Sequence, residues 1–409
     1  MKSLTVHIVI TLAAVLLACG QQPQQTAAPQ VSIPELTPAL AEQGLAWVDS
    51  SLRKTLEITG EKFPISTEDG VWELGHDGWT GGYFAGMLWM MYKHTGDDYW
   101  REKAEKYTWL LEHHKDNADN SDICILLWPA FDLGYRLTSE EALREVGLTA
   151  ARTMMKRYIP AGGYFQNWGR LGDEDQMGFV IIDCLINLDH VFWAGRQTGD
   201  PSFGEAAVSH AHRTREAHVR DDFSSYQVVE FDPETGQMLR GFHKQGVGDE
   251  TTWSRGQSWG IYGFTRAAGN SGDPELLATA RKMADWFIER LPDDQVPYWD
   301  FDLPPGENHP RDTSAGSMAA SGMLELASLL DDPAEAERYR DAAGEILASL
   351  TVNYLTRGLP GRPDGVLTGG TYFFEIGRGV NQANIWGDFY YLEALLRWLE
   401  PDFWLDERG

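Results

Sequence analysis

Residues 180–203 read VIIDCLINLDHVFWAGRQTGDPSF, and two features of this stretch decide the fold. Residues 181–197 are apolar nearly all round, as in a helix buried on every side. The run then stops at Gly199, and Asp200-Pro201 opens the next helix with a capping carboxylate and a proline in its first turn. The same punctuation recurs as HTGDDYW at 94–100, GNSGDPEL at 269–276 and LLDDPAEA at 329–336, with LTSEEALRE at 137–145 in an equivalent slot. The helix before each stop is rich in Gly, Ala and bulky apolar residues. The helix after it is more charged.

Working outward, helical periodicity predicts twelve helices: 36–57, 82–95, 98–114, 122–136, 139–158, 181–197, 201–220, 254–270, 273–291, 313–330, 333–355 and 382–400. Almost no strand alternation accompanies them. Apolar helices alternating with amphipathic ones predict a double ring, six hairpins closed into an all-α (α/α)6 barrel over residues 36–409. An α-solenoid would show a more regular repeat length. The long connections, 58–81, 115–121, 159–180, 221–253, 292–312 and 356–381, all precede inner helices. They are therefore expected at one end of the barrel, where long loops carry function.

The net charge of −27 argues against a nucleic-acid partner, because phosphate binding needs a basic surface. An acidic substrate would have to be collected by local cations against that field. Sixteen tryptophans suit either sugar stacking or the filling of a helical core. Lys2, the apolar run Val6–Ala18 and the ending Leu16-Leu17-Ala18-Cys19 predict a signal peptide over 1–18. That ending resembles a bacterial lipobox, which implies lipid on Cys19, a tether over 19–35 and a place in the cell envelope, periplasmic or surface-facing. Cys124 and Cys184 read as buried small hydrophobes, and no zinc-like spacing of Cys and His is seen. No metal and no cofactor is expected.

The expected rim collects chemistry. His76, Trp79 and Tyr83 come before or within the second helix. Ser121-Asp122 opens the fourth, Asp183 the sixth, and Trp253, Arg255, Gln257 and Trp259 the eighth. Each has a plainer reading. Asp183 suits its own helix start, and Trp79, Trp253 and Trp299 suit helix packing. Arg255 has Asp312 or Asp388 as structural partners, and Asp388 suits a helix start. His190, His210 and His212 read as scaffold. Carboxylates, an arginine and tryptophans gathered from separate helices nevertheless have the form of a sugar site.

WTGGYFAGMLW (79–89), the IID and NL around Asp183, FDPETG (231–236), QG (245–246), WSRGQSWGIYGF (253–264), PYWDFD (297–302), DTSAGSMAASGMLELA (312–327) and WGDFYYLEALLR (386–397) resemble glycoside hydrolase family 88, the unsaturated glucuronyl hydrolases. The resemblance runs in order from about residue 40 to 400 and implies the same barrel. It further implies removal of a non-reducing-end 4,5-unsaturated uronic acid from lyase-generated oligosaccharides, by hydration of the C4=C5 vinyl ether. By position, Asp183 matches the general acid/base and Asp122 the second essential aspartate. Trp168 and Trp259 match wall or stacking positions, and Gln245 and Arg255 polar contacts; Trp79 is a further candidate for binding substrate. Two departures stand out. Ser121 and Gln227 occupy places where the family carries histidines expected to touch substrate; both hydrogen-bond but neither can be cationic. Two other readings stay open: a barrel hydrolase acting on a saturated or differently linked acidic sugar, and a non-catalytic glycan-binding surface lipoprotein.

Overall fold

The computed structural model describes residues 33–403 except Asp77 and residues 305–307. The expected signal peptide, Cys19 and nearly all of the tether lie outside the described residues. The helices are α1 (Pro38–Thr59), α2 (Gly81–Thr95), α3 (Asp98–Trp109), α4 (Ile123–Leu127), α5 (Leu133–Thr138), α6 (Glu141–Met155), α7 (Asn187–Thr198), α8 (Pro201–His218), α9 (Ser254–Ser271), α10 (Pro274–Ile288), α11 (Thr313–Ser328), α12 (Pro333–Asn353) and α13 (Ile385–Leu399). The expected helix 122–136 is α4 and α5 joined by a π-helical turn at Trp128–Asp132, where Pro129 removes a backbone donor. The expected helix 181–197 begins with a 3-10 segment, Ile182–Ile186, that leads into α7.

The hairpin turns follow the predicted chemistry. Gly96, Gly199 and Gly272 close α2, α7 and α9 in the left-handed conformation, at φ of 67°, 70° and 72°. Asp97, Asp200, Asp273 and Asp332 then accept backbone N–H groups at the starts of α3, α8, α10 and α12. In the second hairpin Ser139 takes the left-handed position that glycine holds elsewhere, so it ends α5 instead of capping α6.

Six inner elements touch in a closed ring: α2, α4–α5, α7, α9, α11, α13 and back to α2. In the outer layer α3, α6, α8, α10 and α12 each pair with the inner element before them, and α1 packs on α13 across the closure. Burial separates the two layers. Every residue of α9 from Ser254 to Ala268 is buried, whereas α3 buries only Trp100, Ala104, Tyr107 and Thr108 along one stripe. Small residues let the inner helices approach one another. A Cβ on Gly82 would stand 2.1 Å from the Leu126 carbonyl oxygen, and one on Gly322 would stand 3.0 Å from the Tyr262 backbone.

The rim holds short strands that periodicity did not reveal: β1 (Phe63–Glu68), β2 (Val71–Gly75), β3 (Tyr158–Ile159), β4 (Tyr164–Phe165), β5 (Phe179–Ile181), β6 (Val228–Phe231), β7 (Met238–Phe242), β8 (Gly370–Phe373) and β9 (Arg378–Gln382). At two to six residues they are too short for alternation to register. The sheet β5-β6-β7 is antiparallel, with Ile181 opposite Val228 and Val228 opposite Phe242. The Ile182 N–H continues this ladder to the Gln227 carbonyl at 2.9 Å.

Candidate active site

That three-stranded sheet assembles the site. β5 runs directly into the turn bearing Asp183, β6 begins just after Gln227, and β7 ends just before Lys244 and Gln245. Three segments distant in sequence are thereby brought to one cavity of about 260 Å³ at the rim. Of the residues expected from sequence, Trp79, Asp122, Trp168, Asp183, Gln227, Gln245, Arg255 and Trp259 line it.

Asp122 occupies the cap position of α4, yet its side chain caps nothing. Asp183 lies in the first turn of its 3-10 segment, where Ile181 holds the cap position without a side-chain bond. Its Oδ1 is buried with no hydrogen-bond partner. Helix capping therefore does not account for either carboxylate. Both residues keep partial exposure through the cavity, while the protein packed around them dominates their solvation. Burial pushes Asp183 up to about 7; Arg255 opposes the rise and the neighbouring Asp122 adds to it. Burial likewise raises Asp122 to about 6, against the pull of Arg157. A carboxyl near 7 gives and takes protons close to neutral pH, as a general acid/base must.

Asn187 ties the two carboxylate-bearing segments together. Its Oδ1 accepts the Ile125 N–H at 2.9 Å, and its Nδ2 donates to the Ser121 carbonyl at 3.3 Å. Asn167 Oδ1 accepts the Ile181 N–H at 2.9 Å, just ahead of Asp183. Arg157 donates to the carbonyls of Ala118, Gln166 and Gly169, which fixes the loop carrying Trp168. Cys184 lies in the cavity wall as a free, buried thiol, and burial lifts it to about 12. It is therefore no nucleophile near neutral pH.

Of three expected contacts, one lies outside the cavity wall and two line it while also bonding within the protein. Ser121 is not part of the cavity wall, and its contribution is the carbonyl that holds Asn187. Gln227 lines the wall and also bonds within the protein. Its Oε1 accepts the N–H groups of Lys244 and Gln245 at 2.8 and 2.9 Å, and its Nε2 donates to Gln245 Oε1 at 2.8 Å. Arg255 also lines the wall, with its guanidinium engaged by Asp312 Oδ2 and the Thr371 carbonyl, both at 2.5 Å, and the Tyr372 carbonyl at 2.7 Å. Its charge reaches Asp183 through the field, while its hydrogen bonds hold β8 against α9.

The plainer readings hold elsewhere. Asp388 accepts the N–H groups of Val366 and Leu367, each at 2.9 Å. Trp299 stacks on Phe374 at 4.4 Å, away from the cavity wall. His190 bridges Asp132 and the Gly147 carbonyl, His210 accepts from the Phe165 N–H, and His212 contacts Asp273. Trp79 faces the cavity with its Nε1 donating to the Tyr372 hydroxyl at 3.3 Å.

Sequence reasoning missed Asn167, Asn187, Lys244 and Tyr372. Lys244 adjoins the quoted QG pair, and Asn187 is the first residue of the quoted NL pair. Tyr372 sat unremarked in a long rim connection.

A closed ring of six helical hairpins, with two carboxylates and a tryptophan-lined cavity at one end, is built as an (α/α)6 glycoside hydrolase. Comparison with known proteins carries this further. The model of Glycosyl Hydrolase Family 88 matches residues 54–324. An unsaturated glucuronyl hydrolase of Bacillus sp. (strain GL1) is 40% identical over 351 residues, 84% of this chain and 93% of that protein. An unsaturated chondroitin disaccharide hydrolase of Streptococcus agalactiae is 36% identical over 370 residues, covering 88% and 92% of the two chains. The crystal structure of the unsaturated glucuronyl hydrolase from Bacillus sp. GL1 superposes with a TM-score of 0.85 at 38% identity, covering 88% of this chain and 97% of that one. The chain belongs to glycoside hydrolase family 88 and is a glycoside hydrolase.

Proposed function

We propose that this enzyme removes a 4,5-unsaturated uronic acid from the non-reducing end of lyase-generated oligosaccharides by hydrating its vinyl ether. The observation that carries the reading is Asp183: a cavity-lining carboxyl with a buried, unpartnered Oδ1, held near 7. The relatives named as unsaturated glucuronyl and unsaturated chondroitin disaccharide hydrolases support the substrate class.

In this mechanism protonated Asp183 gives its proton to C4, and the C4=C5 electron pair forms the new C–H bond. Water adds to the electron-poor C5 and yields its proton to the Asp183 carboxylate, which restores the acid. The C5 hemiketal opens, and the hemiacetal exposed at C1 expels the next sugar. Asp122 accepts from ring hydroxyls and raises the proton affinity of Asp183. Trp79, Trp168 and Trp259 wall the ring apolarly.

The test is ultraviolet absorbance of the conjugated enol acid in unsaturated disaccharides from several lyase digests. Loss of signal with wild type and none with Asp183→Asn supports the reading. Consumption of saturated disaccharides with the unsaturated ones inert would sink it.

We also propose that the enzyme is tethered to the cell envelope by lipid on Cys19, on the strength of the Leu-Leu-Ala-Cys ending behind an apolar run. Among the described residues no helix is long and apolar enough to cross a membrane. Cys19→Ala should abolish incorporation of labelled fatty acid and release the protein from the membrane fraction; unchanged labelling would refute the anchor.

A further inference from the structure

The cavity-lining residues include two cations, Arg255 and Lys244. They differ in commitment. Arg255 is nearly fully buried, and its Nη1 and Nη2 donate to Asp312 and two carbonyls. Lys244 is exposed at the cavity rim. Its ammonium makes no ion pair or hydrogen bond among the described residues and lies over the face of Trp168, 3.7 Å from the ring centroid. A lysine laid over an indole gains a preferred direction from the ring quadrupole.

Its backbone is also fixed. Gln227 Oε1 accepts the N–H groups of both Lys244 and Gln245, and Gln245 Nε2 donates to the Tyr372 carbonyl at 2.7 Å. Trp168 is held in turn by Arg157, whose Nη2 donates to the Gly169 carbonyl at 3.0 Å and Nε to the Gln166 carbonyl at 2.8 Å. A cation whose donors no described residue fills therefore sits at the edge of a cavity that holds two carboxylates. The protein around it carries a net charge of −27, which repels an anionic ligand at long range. A local positive group is what such a ligand needs in order to settle.

We infer that Lys244 is a specificity-determining residue that binds an anionic oxygen group of the oligosaccharide, a carboxylate or a sulfate, with Trp168 orienting the ammonium and Gln227 positioning its backbone. Two sources share this chemistry: the uronate's own carboxylate, and an acidic substituent on the sugar that departs. The inference rests on the proposed acidic substrate. It also gives the glutamine at 227 a purpose: its amide clamps the loop that presents the lysine, and the cation is carried by the neighbouring segment instead.

The test compares wild type, Lys244→Met and Lys244→Arg on pairs of unsaturated disaccharides that differ only in a sulfate on the departing sugar. Methionine keeps an unbranched apolar stem over Trp168, and circular dichroism checks that each variant folds. For Lys244→Met the expected result is a rise in KM of about tenfold with a smaller change in kcat, and substantial recovery in Lys244→Arg. A rise confined to the sulfated member assigns the contact to the departing sugar. An equal rise for both members, weakened by added salt, assigns it to the uronate carboxylate. Unchanged KM for both members, or a loss confined to kcat, overturns the inference. If wild type consumes no unsaturated substrate, the functional reading falls by itself. Calorimetric binding of sulfated and unsulfated acidic disaccharides to wild type and Lys244→Met then decides the lysine: about tenfold weaker binding by the variant supports it, and equal affinity overturns it.

Discussion

Arg255 and Asp312 form a buried ion pair, Nη1 to Oδ2 at 2.5 Å, with side chains 2% and 0% exposed. The same Asp312 accepts from the Ser314 N–H and hydroxyl at the start of α11, and the same Arg255 holds two carbonyls of β8. One pair thus joins α9, α11 and the strand that carries Tyr372 into the cavity. Removing one partner leaves the other charged and buried. Asp312→Ala should cost about 3–5 kcal/mol, read as a fall in the urea midpoint. A change within error would show the pair to be dispensable.

Asp183 should link activity and stability in opposite directions. Its carboxyl is raised from 3.8 to about 7 on folding. A raised carboxyl binds its proton more tightly in the native state, so its favourable contribution is full below pH 3.8 and is lost as pH rises through 7. Above that pH the native site must hold a buried charge. Asp183→Asn should abolish turnover and raise Tm at pH 8 by more than at pH 5, by a margin of about 2 °C. Equal shifts at both pH values would contradict the burial-driven cause.

The pH dependence of kcat/KM should report the same group. With protonated Asp183 as the proposed acid, the rate should fall as pH rises above about 7. The two carboxyls interact, so this limb belongs to the pair. Replacing Asp122 by Asn removes a negative neighbour and should move the falling limb to lower pH in whatever activity survives. A move to higher pH would reverse the assignment.

Gln227→Ala should raise KM more than it lowers kcat. It leaves the N–H groups of Lys244 and Gln245 without their acceptor and frees that loop. The expected change is about tenfold in KM, from the loss of roughly 1–2 kcal/mol of ordering hydrogen bonds. An unchanged KM would mean the loop is held by other means.

Gly82→Ala should destabilise the barrel by about 1–3 kcal/mol. Its Cβ would stand 2.1 Å from the Leu126 carbonyl oxygen, so α2 and α4 would have to separate. A neutral result would show slack at that contact.

The architecture was legible because it is written in local chemistry. Glycine stops, aspartate caps and the contrast between all-round apolar and one-striped helices act within a few residues, and the structure follows them at Gly96, Gly199 and Gly272. The motifs likewise marked Asp122, Asp183 and the tryptophans as one group. The sequence could not determine on its own which polar groups remain free to meet a ligand. Arg255, Gln227 and Lys244 all read as candidate or ordinary polar residues along the chain. Only the packing of α11, β8 and the β5-β6-β7 sheet gives the first two internal partners and leaves the ammonium of the third without a hydrogen bond among the described residues. The physical reason is that hydrogen-bonding capacity and desolvation are set by neighbours far away in sequence. The same burial lifts Asp183 to about 7, a property no stretch of chain could hold by itself.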